Sequence, residues 1–207
     1  MTMHVRTFLL ALTLAVAAQG AQAAPQLPPG VYAGQRNYGQ APAGSYKLDP
    51  DHTAVVARVS HIGYSYSVFR FDVTAGSLAW DPAKPEASRL TATVQTASIA
   101  TPVKGFAAEL AGDNFLKSKA FPEATFVSSA FRRVDDTHAR VEGALTLMGK
   151  TAPVVFDVTL VGAGKGFMDH PRIGAHAVTQ LAPADFGLAA MFDTPIELVI
   201  DAEFARD

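Results

Sequence analysis

The 207-residue chain is oily for its size, 49% apolar against 17% charged, with 17 basic and 19 acidic residues scattered along it. That scatter leaves no basic stripe of the kind a phosphate backbone requires, which argues against nucleic acid as a partner. The absence of cysteine excludes disulfides, thiol nucleophiles and a lipid-modified N-terminal cysteine, so stability must come from the core alone.

At the N-terminus, Arg6 precedes the eleven-residue apolar run Phe8–Ala18, which is too short to cross a bilayer as a helix. Ala21-Gln22-Ala23 follows with the small-x-small spacing of a cleavage site. A signal peptide is therefore expected over residues 1–23, with a periplasmic or secreted mature protein that has no stable membrane insertion. Residues 24–44 hold four Pro and four Gly, with Tyr32 and Tyr38 between them. Such a composition resists helix and sheet and predicts an extended arm, suited to covering a neighbour's surface in a dimer. The domain proper is expected over residues 45–207.

From there, period-two alternation recurs between turn residues. It marks strands at Tyr46–Asp49, Thr53–Ile62, Tyr66–Thr74, Gly76–Trp80 and Arg89–Ile99. Val103–Ser118 lacks that period, and Phe106, Leu110 and Phe115 suit a short irregular helix interrupted at Gly112. Alternation resumes over Thr125–Arg133, His138–Met148, Pro153–Val161, Arg172–Leu181 and Ile196–Phe204. Residues 143–160 read as two strands joined by a tight turn. About eight to ten strands with one helix predict an all-β protein, and strands with one apolar and one polar face suit a sheet wrapped around its own interior. Alternation alone leaves barrel and sandwich open.

The chain resembles the YceI-like family of bacterial polyisoprenoid-binding proteins from about Tyr46 to Phe204. The resemblance is carried by Tyr46-Lys47-Leu48-Asp49-Pro50-Asp51-His52-Thr53, Val59-Ser60-His61-Ile62-Gly63 and Phe69-Arg70-Phe71 ahead of Gly76. Further on, Thr96-Ala97-Ser98-Ile99, Pro122 with Phe126, Gly143 through Thr151, and Asp185-Phe186-Gly187 continue it in order. Three departures stand out: Pro183-Ala184 replace a basic residue and Ser, the segment from Leu116 to Pro122 is short, and Ala57 stands where Phe is common. The resemblance implies an antiparallel, lipocalin-like up-and-down barrel of about eight strands, often a homodimer, holding a long isoprenoid or fatty-chain amphiphile in its lumen. It implies no cofactor and no enzymatic chemistry.

Such a lumen needs branched aliphatics and phenylalanine on the inward face. The expected set is Val55, Ala57, Val59, Phe69, Phe71, Phe126, Leu145, Leu147, Phe156, Leu198 and Ile200. The same pattern would serve a solid core, which makes a packed structural or stress-response module, acting through protein contacts, the alternative function. His61 shares the face of Val55, Ala57 and Val59; it is read either as a headgroup contact or as a satisfied core histidine. His52, His170 and His176 match no known metal-ligand spacing. Gly63-Tyr64-Ser65-Tyr66-Ser67 lacks the second glycine of a nucleophile elbow, so an enzyme is not expected.

Overall fold

The computed structural model describes residues 26–188, 192 and 194–207; the leader expected over 1–23 lies outside them. Strands form where the alternation recurs. The strands are β1 (Gly44–Leu48), β2 (Ala54–His61), β3 (Ser65–Phe71), β4 (Thr74–Trp80), β5 (Arg89–Gln95) and the two-residue β6 (Ile99–Ala100). They continue with β7 (Glu123–Arg133), β8 (His138–Leu147), β9 (Lys150–Gly164), β10 (Arg172–Leu181) and β11 (Ile196–Arg206). All neighbours pair antiparallel in the order β1-β4-β5-β7-β8-β9-β10-β11, and β1 pairs again with β11.

That closure makes an eight-stranded barrel and settles the choice between barrel and sandwich. Closure also removes the free sheet edges that would otherwise invite pairing with other chains. Towards one end, β2, β3 and β6 take over from β1, β4 and β5: β11 pairs with β2, β2 with β3 and β3 with β6. The β2–β3 hairpin tip, residues 62–64, therefore marks one end of the barrel. The start of β1 and the β7–β8 turn mark the other.

Local chemistry explains the connections. β8 and β9 are joined by Met148 and Gly149, with φ of 53° and 75°; two left-handed residues make the hairpin turn whose twist matches the strands it joins. α1 (Phe106–Ala111) occupies part of the region expected to be helical and stops at Gly112. A second helix, α2 (Pro183–Phe186), lies outside the expected helical region. Pro183 pre-sets its first turn and Gly187, at φ 69°, ends it.

Two apolar clusters fill the barrel from opposite ends. At the hairpin-tip end, Phe69 and Phe115 each meet the ring of Phe106 of α1 at 6.3 Å, and Phe115 meets Phe192 at 5.8 Å. Phe186 of α2, 1% exposed, joins the same cluster with Leu145 and Ile196. At the other end, Tyr46, Leu78, Ile173 and Phe204 pack around Ala41. Tyr46 is fully buried, and its hydroxyl donates to the Pro42 carbonyl at 2.7 Å; burial raises its pKa.

The Pro/Gly-rich segment does not stand free. Val31 bridges to Phe167 and Gln35 to Ala163, so the segment lies along the end of β9 of its own barrel. Gly34 and Gly162 permit that approach: a Cβ on Gly34 would come within 3.1 Å of the Gly162 Cα. A short 3-10 turn, Tyr38–Gln40, then carries Tyr38 over the barrel end.

Candidate functional site: a hollow half-barrel

Between the two clusters the lumen is hollow, with a cavity of about 210 Å³. Its wall is built from positions of all eight barrel strands. Leu78 and Trp80 come from β4, Leu90 and Ala92 from β5, and Val158 and Leu160 from β9. Ala175 of β10 pairs with Ala202 of β11 and Ala177 with Ile200, which puts three alanines in the wall on that side. Phe126 and Phe156 form the floor, ring against ring at 5.1 Å. Beyond them the barrel is packed.

Its mouth lies between the β7–β8 turn, the loop around Pro85 and the strap residue Tyr38. Tyr38 stands edge-on to Trp80 at 6.2 Å and lies under the Arg133 guanidinium at 4.8 Å. Arg133 also pairs with Asp136 and donates from Nε to the Asp135 carbonyl at 3.1 Å. Asp135 accepts from the backbone N–H of Thr137 and from His138, which hold its carboxyl down at about 2. The rim is polar and charged; the interior is apolar.

Of the residues expected to line the lumen, Phe126, Phe156 and Ile200 do so. Val59, Phe69 and Leu145 are buried in the packed end, with Ala57, Phe71, Leu147 and Leu198 half-buried against it. Val55 is buried at the start of β2, opposite Phe71 and Ile200. The lumen reading of His61 is corrected. It continues the inward face of β2, but β11 accompanies β2 only as far as Arg58, so His61 projects past the rim and is exposed. The missed residues carry a recognisable signal, a concentration of alanine at inward positions of β5, β8, β10 and β11.

A second cluster lies outside the lumen. Arg172 Nη1 donates to Asp49 Oδ2 at 2.6 Å and also pairs with Glu203, while His52 Nδ1 lies 3.0 Å from Asp49 Oδ2. The Arg172 bond, helped by His52 against the cost of burial, lowers the Asp49 carboxyl to about 2; the Asp49 bond raises His52. Asp49, His52 and Glu203 have potential ligand atoms within 4.8 Å of one another. Both carboxylates already bind the guanidinium, so the group is an ion-pair network tying β1, β10 and β11 together.

Comparison with known proteins agrees with this architecture. The pattern that defines the YceI-like domain family matches residues 46–204. A UPF0312 protein of Pseudomonas putida (strain W619) is 39% identical over 165 residues, covering 79% of this chain and 86% of the relative. The Campylobacter jejuni YCEI protein has a similar fold, with a TM-score of 0.66 at 25% identity over 72% of this chain and 90% of that one. A Saccharophagus degradans polyisoprenoid binding domain, implicated in plant cell wall breakdown, matches with a TM-score of 0.62 at 15% identity, over 78% and 98% of the two chains. With its closed barrel and its family pattern running from Tyr46 to Phe204, the chain belongs to the YceI-like family.

Proposed function

We propose that this protein binds an isoprenoid or similar lipid chain in its lumen, without catalysis, and carries or buffers it in the periplasm after loss of the leader. The observation that supports this reading most is the apolar lumen cavity with charged residues at its rim. The description of the Saccharophagus domain as polyisoprenoid binding agrees with it.

The volume bounds what is held. A dry apolar cavity of ~150 Å³ binds benzene, so about 210 Å³ takes roughly one or two isoprene units. Ten buried carbons at ~0.8 kcal/mol each give about 8 kcal/mol before association costs of about 4–15 kcal/mol. Tail burial alone therefore binds weakly. A tighter complex needs the rest of the chain to run against Tyr38 and the mouth.

Organic extraction of the purified mature protein, followed by lipid and native mass spectrometry, tests the reading and reports the oligomeric state. A stoichiometric prenyl or fatty-chain species is expected. A lipid-free protein that also refuses added polyprenol would overturn it. The second reading, a module acting through protein contacts, has one supporting observation: the hairpin tip exposes Ile62 by 82% and Tyr64 by 90%. Retention of a protein partner by lipid-free protein, lost on Tyr64→Ser, would favour it.

A further inference from the structure

We infer that the outer face of the barrel carries a second binding site, a groove that takes a neutral saccharide ring, independently of what the lumen holds.

The groove measures about 560 Å³, within the ~300–1,000 Å³ of small-molecule sites. It lies between β10, β11, the end of β9 and the Pro/Gly-rich segment that runs beside β9. Its floor is bare backbone. Gly174 of β10 stands opposite Glu203 on one side and Gly162 on the other, and Gly162 meets Gly34 of the segment. At ~4.8 Å per strand spacing, the side-chain-free strip is roughly 10 Å wide, enough for one sugar ring. Gly34 and Gly162 are required by each other's approach. Gly174 is not: its φ is negative, and a Cβ on it would meet nothing nearer than 3.7 Å. Its neighbours Ile173 and Ala175 line the lumen, so Gly174 faces out. A glycine inside a strand weakens it, and one that the fold does not need marks a place where a ligand comes close to the backbone.

The walls decide the kind of ligand. Tyr32 and Phe167 line the groove and are 43% and 55% exposed. Arg172 and Glu203 line it too, with side chains 26% and 31% exposed, so both are open to a ligand. A sugar ring offers a C–H face that packs on aromatic rings and an edge of hydroxyls that donate and accept. The carboxylate accepts from such hydroxyls and the guanidinium donates to them. Other occupants fit less well. Arg172 is matched by Asp49 and Glu203, which leaves no spare positive charge for a phosphate or uronate. The backbone groups of the floor are committed to the β9–β10–β11 ladders, so no peptide strand can add there. A lipid chain would strip water from Arg172 and Glu203 without replacing it.

Cellohexaose, maltohexaose and hexagalacturonate are titrated into 15N-labelled protein, whose glycine amides occupy their own region of the 15N–1H spectrum. At least one neutral sugar is expected to bind with a Kd of about 0.1–1 mM. It should shift Gly34, Gly162 and Gly174 and leave Phe126 and Phe156 of the lumen floor unmoved. Hexagalacturonate should bind about tenfold more weakly. Gly174→Val suits a strand and should hold Tm within about 3 °C of wild type, while its side chain fills the groove and weakens neutral-sugar binding about tenfold or more. If that variant does not fold, Phe167→Ser removes an exposed ring and should weaken binding about fivefold. Binding that survives these substitutions, shifts that miss the three glycines, tighter binding of hexagalacturonate, or refusal of all three sugars would each overturn the inference and leave lumen binding untouched.

Discussion

Replacing Ala177 and Ala202 together by leucine fills the lumen from its own wall, because both residues line the cavity on neighbouring strands. Each change adds three carbons, and six newly buried carbons at ~0.8 kcal/mol give about 5 kcal/mol. An independent route agrees: a void of about 210 Å³ at ~24 cal/mol per Å³ also represents about 5 kcal/mol of forgone packing. Steric strain of about 1–3 kcal/mol opposes the gain, which leaves a net stabilisation of about 2–4 kcal/mol. At roughly 2–4 °C per kcal/mol for a domain of this size, Tm should rise by about 4–16 °C. The same six carbons displace ligand, so polyprenol affinity should fall by about three orders of magnitude. Calorimetry and a ligand titration on the double variant give both numbers. Ala79→Leu, on the outer face of β4, is the control and should change neither. A variant that gains stability yet binds polyprenol within about threefold of wild type would refute lumen binding. A fall in Tm of several degrees would refute the void itself.

Gly143→Ala should destabilise by about 2–4 kcal/mol in chemical denaturation, since the new Cβ would lie 2.5 Å from the Val127 carbonyl oxygen and 2.4 Å from the Phe126 ring. Arg172→Met leaves Asp49 and Glu203 facing each other without their cation and should cost about 2 kcal/mol at pH 7, less than a fully buried pair. Because the folded Asp49 carboxyl is depressed to about 2, its contribution is present above an unfolded value of ~3.9 and lost as pH falls towards 2. Acid titrations should therefore show a steeper stability loss below pH ~4 in wild type than in Arg172→Met. Tyr38→Ala removes both the edge contact to Trp80 and the ring under Arg133, and stopped-flow release of a fluorescent prenol should accelerate about tenfold. His61→Ala, remote from the mouth and exposed, should leave affinity within about twofold, on the scale of a surface substitution.

The all-β sheet was legible in the period-two alternation of its strands; its closure into a barrel, made by the β1–β11 pairing, was not, and came to the sequence only through the family resemblance. The site was only half legible, for a physical reason. Period two tells which side of the sheet a residue faces but not its height along the barrel axis. Val59 and Phe69 face inward, yet lie where Phe106, Phe115 and Phe186 fill the space. Leu78, Ala175 and Ala202 face inward at the other level, along the wall of the cavity. His61 shows the same limit at its extreme, inward by parity and beyond the rim by height. The arm shows another limit: its composition resists regular structure, and Gly34 and Gly162 let two backbones meet, a pairing visible only once both partners are placed.

The floor at Phe126 and Phe156 also bears on the order of events. On the proposed lipid-binding reading, a chain seated with its tail on that floor leaves head first, so its apolar end is the last part to leave. A cargo released into open water would then trail that end through the worst solvent available. On that reading, unloading is cheapest when the rim at Tyr38 and the β7–β8 turn is pressed against the acceptor, so this face, rather than the hairpin tip at the far end, would meet whatever receives the lipid.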